Sequence, residues 1–511
     1  MPPASKDYDI CIVGAGPAGL ACVSAINEPY SLDHLTEIQS ERAAKIHHRH
    51  HRKLRVCVVD SNPEWMASWK SNFEQLRIRH LRSSALAHPN MFDRRALLTY
   101  ASNHGRDEDE LKQSNCGKMK ELSGLGRETN TGMWDLPSTS LFEDFCDDLC
   151  QNLKHTYFQG YASDLTKGKN GGYQLGWTDT SGKQHSVGAK RVILATGMTG
   201  YPVVPKGLVS CPTISWKAPD AFCFAPKTRT TNVPHHVLVV GGGLTAAQVA
   251  LRIAEEGNTC ILCSRRPLHE KHFDVPVEWF DKRKTAECLS KFYHETIENR
   301  LQQLKEVRNG GSIPASYMKR LRKFEGKSLT RWVGEVKFKD ETDNDNDNTA
   351  DEKKIRIRFE DKTVFFDRVI LATGVAPDCT ANPFCRKVLE NFPITVHGGF
   401  PDVTQDLRWS EDDEIFVIGA MAALQVGPDA GNLMGMRRAA YVISDKFNVR
   451  RWLRRTILAN QYDAFMMDSD SDSESETEDE TSCCESESDN DGTEGVYDKE
   501  DQRIPRITIG A

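Results

Sequence analysis

Residues 7–26, DYDICIVGAGPAGLACVSAI, join a short apolar run, a glycine cluster and a second, longer apolar run. The first run predicts a buried strand, and the cluster leads directly into an apolar helix. In such a turn Gly14 permits the tight bend, Gly16 lets the backbone approach a pyrophosphate, and Gly19 allows helix and strand to pack closely. The helix N-terminus also favours an anion. The predicted phosphate contacts are Gly14, Ala15, Gly16, Pro17, Ala18 and Gly19.

An acidic residue that binds a ribose is expected about 20 positions after such a loop. Here the polar, histidine-rich residues 28–53 intervene, and the next strand-like run, LRVCVV, ends in Asp60. The simplest interpretation is that 28–53 is an insertion and that Asp60, with Ser61 beside it, still binds the ribose. The histidine cluster in the insertion has no acidic or cysteine partners, so no metal site is predicted. Its members are His47, His48, His50 and His51.

A second strand, glycine cluster and amphipathic helix occupy residues 235–257, HHVLVVGGGLTAAQVALRIAEEG. The predicted phosphate contacts are Gly241, Gly242, Gly243, Leu244, Thr245 and Ala246. After the following strand the chain reads Ser264-Arg265-Arg266, where an NAD-binding unit would carry Asp or Glu. Arginines pair with a 2′-phosphate whereas a carboxylate repels it, so the segment favours NADPH over NADH. The alternative is that they are ordinary basic surface residues.

One motif occurs twice, as KRVILATGM at 190–198 and as DRVILATGV at 367–375. Each copy is predicted to be a late strand of one dinucleotide unit, whose small residues lie close to the cofactor. The first copy supplies Ala195, Thr196 and Gly197 to the first loop, and the second supplies Ala372, Thr373 and Gly374 to the second loop. A later strand that ends at Gly419, followed by a loop containing Gly427, suits a return to the first unit with a helix N-terminus facing the cofactor.

The predicted fold class is therefore α/β, with two nested Rossmann-like dinucleotide-binding domains and a disordered acidic C-terminal tail. One domain is interrupted by the other, and the arrangement resembles that of the two-dinucleotide-binding-domain flavoproteins, which carry FAD in the outer domain and NAD(P)H in the inserted one. The predicted segments are 8–205 for the first part of the FAD domain (insertions 28–53 and 104–130), 206–375 for the NADP domain (acidic loop 341–353), 376–460 for the second part of the FAD domain and 466–500 for the tail.

The composition limits the classes of protein to which the chain can belong. Hydrophobic residues make up 39% of the 511 residues. No run approaches the ~18 apolar residues of a membrane span, and no signal sequence opens the chain, so a cytoplasmic protein is expected. Residues 468–494 contain 13 acidic residues and no basic one, which favours a disordered, solubilising tail that could also meet a protein partner or an acidophilic kinase. Basic residues elsewhere are dispersed, so nucleic-acid binding is not expected.

This architecture resembles that of the two-dinucleotide-binding-domain flavoproteins, over residues 8–456 without the insertions. Within that superfamily the chain is most similar to the lysine/ornithine N-hydroxylases. Residues 367–374 follow that family's Asp-x-x-x-Leu-Ala-Thr-Gly-Tyr motif, with Val375 in place of the final Tyr. Residues 65–89, WMASWKSNFEQLRIRHLRSSALAHP, resemble its stretch between the second strand and the flavin face. The resemblance places Trp69 at the cofactor and Arg82 where the hydroxylases carry a Lys near flavin and nicotinamide.

The resemblance implies FAD and NADPH as cofactors and a monooxygenase as the activity. NADPH would reduce the flavin, and O₂ would then form a C4a-hydroperoxide that oxygenates a small, amine-containing substrate. Arg82 and His88 are the candidate catalytic residues, with His80 nearby, although His88-Pro89 could simply set a turn. The chain shows no match to the family's substrate-amine contacts. Residues 200–220 contain Trp216 but lack the Phe-x-Gly-x-x-x-His motif of the Baeyer–Villiger and flavin-containing monooxygenases.

Two other functions stay open. A disulfide-type or flavin reductase would need two cysteines beside the flavin, but Cys260 and Cys263 lie on a predicted strand, where positions i and i+3 point to opposite faces. The other close pairs are Cys146 with Cys150, about one helical turn apart, and Cys483 with Cys484 in the acidic tail. The second alternative is a non-enzymatic, dinucleotide-loaded sensor or scaffold that signals through the tail.

Overall fold

A computed structural model describes ten stretches of the chain. They are residues 8–27, 54–91, 93–112, 135–168, 171–205, 214–215, 235–280, 282–338, 355–359 and 362–447. Several features singled out in the sequence lie outside the described residues. These are the histidine-rich insertion, the larger part of the 104–130 insertion, Trp216, the loop 341–353, and the acidic tail with Cys483 and Cys484.

Strands and helices alternate along the described chain. The strands are β1 Tyr8–Val13, β2 Val56–Asp60, β3 Leu111–Lys112, β4 Leu136–Pro137, β5 Thr156–Gln159, β6 Tyr161–Lys167, β7 Tyr173–Thr178, β8 Gln184–Leu194, β9 Gly200–Pro202, β10 Ile214–Ser215, β11 His236–Val240, β12 Thr259–Ser264, β13 Leu329–Val333, β14 Lys337–Phe338, β15 Ile355–Phe359, β16 Lys362–Phe366, β17 Arg368–Leu371, β18 Val375–Pro377, β19 Val396–His397, β20 Phe400–Pro401 and β21 Ile415–Val417. The helices are α1 Pro17–Asn27, α2 Ala67–Gln75, α3 Ala96–Asn103, α4 Asp107–Glu110, α5 Thr139–Asn152, α6 Leu244–Glu255, α7 Lys282–His294, α8 Ile297–Arg308, α9 Ala315–Phe324, α10 Pro383–Asn391, α11 Ala423–Val426 and α12 Leu433–Lys446. Within these ranges, none of the helices has the length and apolar character that crossing a membrane requires.

The first sheet has seven strands in the order β5-β2-β1-β8-β7-β6, with β21 alongside β8. Strands β5, β2, β1, β8 and β21 run parallel, whereas β7 and β6 extend the sheet antiparallel. Parallel strands bury both faces, which explains the unbroken apolar run from Ile10 to Val13. Because β21 comes from the far end of the described chain, the sheet is assembled from both sides of the intervening domain.

The second sheet is parallel throughout, in the order β10-β17-β11-β12-β13. Val237 and Val239 of β11 face a core shared with α6, while Leu238 and Val240 face a separate cluster on the other side. The alternation buries both faces of the strand and accounts for four consecutive apolar residues. Strands β14, β15 and β16 form a small antiparallel sheet beside it.

The two chain crossovers between the sheets lie side by side. Strand β9 leaves the first domain, β18 returns to it, and the two pair antiparallel, with Pro202 opposite Val375 and Gly200 opposite Pro377. One domain is therefore inserted into the other at a single place. The predicted nested pair of Rossmann-like domains is confirmed.

Helices α7 and α8 connect the two domains. In sequence they fall inside the predicted NADP segment, yet Trp279, Phe292 and Leu304 belong to the same buried cluster as the first sheet. The guanidinium of Arg300 donates to the carbonyl of Leu424 at 3.3 Å and to the Gln425 side chain at 3.2 Å. Part of the inserted segment thus packs on the first domain.

Candidate functional site

The first glycine cluster forms a tight turn between β1 and α1. Gly14 has φ +115°, and a Cβ on it would lie 2.3 Å from the carbonyl oxygen of Ala195. A Cβ on Gly19 would lie 2.1 Å from the carbonyl oxygen of Gly14, so helix and turn are in direct contact. In contrast, a Cβ on Gly16 would meet nothing within 4 Å. The backbone at Gly16 borders free space, as the approach of a pyrophosphate requires.

The second glycine cluster repeats this turn between β11 and α6. A Cβ on Gly241 would lie 2.3 Å from the carbonyl oxygen of Ala372, the distance found in the first turn. The amide of Gly14 donates to the backbone carbonyl of Val59 at 2.9 Å, and the amide of Gly241 donates to the backbone carbonyl of Cys263 at 2.8 Å. The predicted pairing of each Ala-Thr-Gly copy with one glycine loop is therefore confirmed. That these residues contact a cofactor stays a prediction.

The threonine of each Ala-Thr-Gly copy makes a side-chain contact with a segment that adjoins a crossover between the domains. Thr373 Oγ1 donates to the carbonyl of Val203, next to the outgoing crossover, at 2.5 Å. Thr196 Oγ1 accepts a contact from the Cys385 thiol, in α10 after the returning crossover, at 3.6 Å. Each copy then ends in an exposed glycine with positive φ: Gly197 at +73° and Gly374 at +86°.

Asp60 stands at the carboxyl end of β2 and contacts the first loop. Its Oδ2 accepts from the amide of Ala15 at 2.7 Å, and its Oδ1 accepts from the backbone and side-chain nitrogens of Asn62, each at 2.8 Å. The carboxylate fixes the turn and keeps acceptor capacity for a ribose hydroxyl, because an ionised carboxyl has about four lone-pair sites. Ser61, half-buried, follows it. Ribose binding by both residues stays a prediction.

The equivalent position after β12 carries no carboxylate. Ser264 is buried, and its hydroxyl donates to the carbonyl of Arg266 at 2.8 Å. Arg265 and Arg266 are exposed, and Nη2 of Arg266 lies 2.9 Å from where a Cβ on Gly310 would be. This edge of the second loop is therefore basic. Its predicted preference for NADPH is compatible with that charge and stays a prediction.

Gly419 and Gly427 occupy different surroundings. Gly419 follows the end of β21 with φ +83°, and a Cβ on it would lie 3.6 Å from the Ala18 Cβ, so the structure brings it to the first loop. Gly427 has φ +103° and follows α11. A Cβ there would lie 3.1 Å from the ring of Trp279, against the helical segment of the inserted domain. Only Gly419 of this pair adjoins the predicted phosphate site.

Trp69 and His80 flank the segment that leads to the predicted flavin face. The Trp69 ring stacks on Phe73 with centroids 3.9 Å apart and is half-buried. His80, also half-buried, pairs through its backbone with Ser138. Burial lowers the pKa of its imidazole, and nearby Lys112 lowers it further. Cofactor contacts by either residue stay predictions.

Arg82 joins the two domains. Its Nε donates to the carbonyl of His272 at 2.5 Å, and its Nη2 donates to the carbonyl of Lys271 at 3.0 Å and to the Ser312 hydroxyl at 2.9 Å. Burial lowers the pKa of the guanidinium, and Asp274 counteracts this shift. All three acceptors belong to the inserted segment, so Arg82 positions that segment. Its predicted place beside flavin and nicotinamide stays a prediction.

His88 is fully buried, and both its ring nitrogens have partners. Nε2 lies 3.1 Å from the carbonyl of Arg94, and Nδ1 lies 3.2 Å from Nη1 of Arg437. The same guanidinium binds the carbonyls of His88 and Asn90. Burial holds the pKa of the imidazole well below its usual value, and the charge of Arg437 adds to this. The geometry favours a structural role for His88, as a neutral bridge between α12 and the loop before α3.

Sequence reasoning missed a junction between the inserted segment and the end of the first domain. Asp274 accepts from the side chain of Asn432 at 3.2 Å, and Arg308 donates to the carbonyl of Pro428 at 3.3 Å. It also missed Ser312 and the turn before it. The sequence Asn-Gly-Gly-Ser after α8 signals a turn. Nothing local in that signal shows what the turn packs against.

The cysteine pairs do not resemble a redox centre in the described chain. Cys260 and Cys263 are buried on β12, as predicted, and burial raises the pKa of the Cys263 thiol to about 12. On α5, Cys146 is fully buried, and burial raises the pKa of Cys150 to about 12. Cys385 is buried near Thr196, with its pKa raised to about 11. These thiols are protonated at neutral pH and are poor nucleophiles.

Comparison with known proteins places this geometry in a family. The family model of the pyridine nucleotide-disulphide oxidoreductases matches residues 108–441, more than half of the chain. No curated protein matches the sequence.

Solved structures share the fold. The ornithine N-hydroxylase of Kutzneria sp. 744 superposes with a TM-score of 0.62 at 15% identity, covering 87% of this chain and 100% of that one. The ornithine hydroxylase of Pseudomonas aeruginosa gives 0.60 at 16% identity, with 87% and 99% covered. The L-lysine 6-monooxygenase of Pseudomonas syringae gives 0.57 at 16% identity, with 87% and 99% covered. At these identities the likeness establishes the architecture.

Proposed function

The chain belongs to the pyridine nucleotide-disulphide oxidoreductase family, and on that premise we propose that it is an FAD-dependent, NADPH-using monooxygenase of a small amine. The observation that carries the proposal is the pair of equivalent turns at Gly14 and Gly241, each of which packs against an Ala-Thr-Gly strand and leads into a helix N-terminus that favours an anion. Two such sites in nested domains suit one bound flavin and one exchangeable nicotinamide dinucleotide.

The residues at each loop support the assignment of cofactors. Asp60, with acceptor capacity left, suits the ribose of FAD at the first loop. Arg265 and Arg266 suit the additional phosphate of NADPH at the second. When bound, the flavin would supply the oxygen chemistry. The chain would orient both cofactors and exclude water from their junction.

The substrate class rests on the solved structures that share the fold. Those structures are hydroxylases or monooxygenases named for ornithine and lysine. The carboxylates near the domain junction do not add to this support, because Asp429 is paired with Arg438 and Asp274 lies beside Arg82 and Lys271.

The buried thiols weaken the reductase alternative. Disulfide reduction needs a thiolate next to the flavin, and burial raises the pKa of all four cysteines in the described pairs, of which three are buried and Cys150 is half-buried. A monooxygenase would need no protein thiol, because the bound flavin would supply the oxygen chemistry.

The test is anaerobic reduction of the FAD-loaded protein by NADPH, followed by O₂ with and without ornithine, lysine or cadaverine. We expect one amine to accelerate NADPH consumption, to yield a hydroxylated product and to lower H₂O₂ release. Catalase and an amine-free reaction serve as controls. Release of all electrons as H₂O₂ with every amine would assign the protein to the reductases or oxidases instead.

A further inference from the structure

Residues 75–82, the bridging segment, run from the end of α2 to Arg82 and connect the first domain to the inserted one. Helix α2 has no fully buried residue. Leu76, directly after it, packs against the buried cluster of the inserted domain that contains Val237 and Val239. At the other end of the segment, Arg82 binds the inserted segment through three hydrogen bonds. The bridging segment therefore contacts the inserted part of the chain at both of its ends.

Arg77 occupies a backbone position that glycine usually takes. Its amide donates to the carbonyl of Glu74 at 2.9 Å, and the amide of Ile78 donates to the carbonyl of Phe73 at 2.9 Å, so α2 ends in a Schellman motif. Arg77 has the left-handed conformation of that motif, with φ +50°, and its Cβ makes this conformation unfavourable. A strained residue of this kind indicates that the side chain has a task.

The guanidinium of Arg77 crosses to the inserted domain. Its Nη2 donates to Oε1 of Glu256, directly after α6, at 2.9 Å. The same oxygen accepts from Nε of Arg252, one helical turn earlier, at 3.1 Å. Arg252 also donates through Nη1 to the carbonyl of Gln75. One carboxylate and two guanidinium groups thus join α6 to the bridging segment.

The two arginines contribute unequally to this network. The side chain of Arg77 is 51% exposed, and an exposed ion pair is weak because water and salt screen it. The side chain of Arg252 is 19% exposed and binds both the carboxylate and a carbonyl of the other domain. Charge-assisted hydrogen bonds from a partly buried group are stronger. Arg252 therefore makes the larger contribution.

Reduction of the flavin depends on how the two domains are oriented. On the proposed function, NADPH in the inserted domain gives a hydride, with its two electrons, to FAD in the first domain, which leaves NADP⁺ and reduced flavin. The two rings must be in contact for this step, and a misplacement of about 1 Å can slow a reaction about a hundred-fold. Binding of the nucleotide to its own domain does not require that orientation.

We propose that Arg252 and Arg77 are positioning residues for hydride transfer, and that they hold the inserted domain in the orientation in which NADPH meets the flavin. This rests on the proposed function. The two residues act through the carboxylate of Glu256 and the carbonyl of Gln75, and not by contact with a cofactor. The strained conformation of Arg77 serves to direct its guanidinium at Glu256.

The test uses the full-length, FAD-loaded protein and three measurements. These are the dissociation constant of NADP⁺, the anaerobic rate of flavin reduction at saturating NADPH, and hydrogen exchange of the backbone amides in the bridging segment. Arg252→Ala should slow flavin reduction about ten- to a hundred-fold and accelerate exchange in the segment, while the dissociation constant of NADP⁺ stays at the wild-type value.

Arg77→Gly separates positioning from folding. Glycine suits φ +50°, so the thermal midpoint should stay equal or rise, although the contact with Glu256 is lost. Flavin reduction should slow about three-fold, as the loss of an exposed ion pair implies. A residue that only stabilised the fold would instead lower the midpoint without this change in rate.

Glu255→Gln is the matched control for Glu256→Gln. The two residues are neighbours, but the carboxylate of Glu255 accepts from Arg320 at 2.6 Å, within the inserted domain. Glu256→Gln should slow flavin reduction at least as much as Arg77→Gly does, whereas Glu255→Gln should leave the rate unchanged.

Three results would overturn the assignment. Wild-type rates of flavin reduction in Arg252→Ala and Arg77→Gly would remove the positioning role and leave the proposed function standing. Weaker binding of NADP⁺ in Arg252→Ala, with the rate at saturation unchanged, would make the network a support of the nucleotide site. A wild-type protein whose flavin NADPH does not reduce would contradict the proposed function, and the role in hydride transfer would fall with it.

Discussion

The turns after Val13 and after Val240 pack equally closely on an Ala-Thr-Gly strand, but their surroundings have opposite charge. In each, a Cβ on the first glycine would lie 2.3 Å from the carbonyl oxygen of an Ala-Thr-Gly alanine. At the first turn the carboxylate of Asp60 binds the loop amide, whereas at the second Ser264 is followed by two exposed arginines. The first turn is completed by its own domain, while the second is bordered by the turn at Gly311.

This difference separates two tasks of a phosphate loop. The glycines specify the turn, because close approach to a carbonyl leaves no room for a side chain. The residues that approach from outside the turn decide which nucleotide fits and how easily it exchanges. At the first loop the backbone of Gly16 borders free space, whereas at the second the backbone of Gly311 packs against Gly243.

Gly16→Val should produce the largest effect, a complete loss of FAD. A Cβ on Gly16 meets nothing within 4 Å, so the protein can accept the side chain, but valine fills the space of the pyrophosphate. We expect folded, colourless protein with a far-UV spectrum like that of the wild type. The ratio of flavin absorbance to protein measures it. Full flavin occupancy in this variant would remove the first loop from the cofactor site.

Exchanging the third small residue of each turn should give a smaller, asymmetric effect on stability. Gly19→Ala places a Cβ 2.1 Å from the Gly14 carbonyl and should cost about 3 kcal/mol, the upper end for overpacking, because a backbone atom cannot move aside easily. Ala246→Gly, the reverse substitution at the second turn, should lower the free energy of unfolding by about 1 kcal/mol, because glycine has a lower helix propensity than alanine. Urea unfolding followed by fluorescence compares them. Equal losses would mean that the two helices do not pack differently on their turns.

Arg265→Ala should affect the second loop alone. Losing one charge-assisted contact to the 2′-phosphate corresponds to about a ten-fold rise in the Michaelis constant for NADPH, with that for NADH unchanged. The rate of flavin reduction at saturating NADPH should stay at the wild-type value, because the nicotinamide end is not altered. Equal weakening toward both nucleotides would assign Arg265 to the fold or to the pyrophosphate.

His88 should make the first domain mildly sensitive to acid. Its folded pKa is depressed well below the ordinary value of 6.5, so below that pH the unfolded chain binds a proton that the folded chain does not. Well above pH 6.5 the residue has no pH-dependent effect, and at half a unit below it the loss is about 0.8 kcal/mol. His88→Gln should flatten the dependence of the thermal midpoint on pH between about 6.5 and 5. An unchanged slope would contradict a buried neutral imidazole.

The local features of the fold could be predicted from residues near one another in the chain. The apolar runs before Gly14 and Gly241 specify parallel strands, and the two Ala-Thr-Gly copies were correctly paired with their loops. The nested order of the domains followed from these repeats. The roles of Arg82 and His88 could not be predicted in this way, because their partners, Ser312 and Arg437, lie 230 and 349 residues away.

The sequence by itself determined that two strand-turn-helix units exist and that one is acidic and the other basic after its second strand. These properties depend on backbone conformation and residue charge, which are local. Only the tertiary structure decided that α7 and α8 pack on the first domain, that Arg82 binds the inserted segment, and that Gly311 reaches Gly243. Such contacts arise from the packing of distant surfaces, and a turn signal such as Asn-Gly-Gly records where the chain bends but not what it then meets.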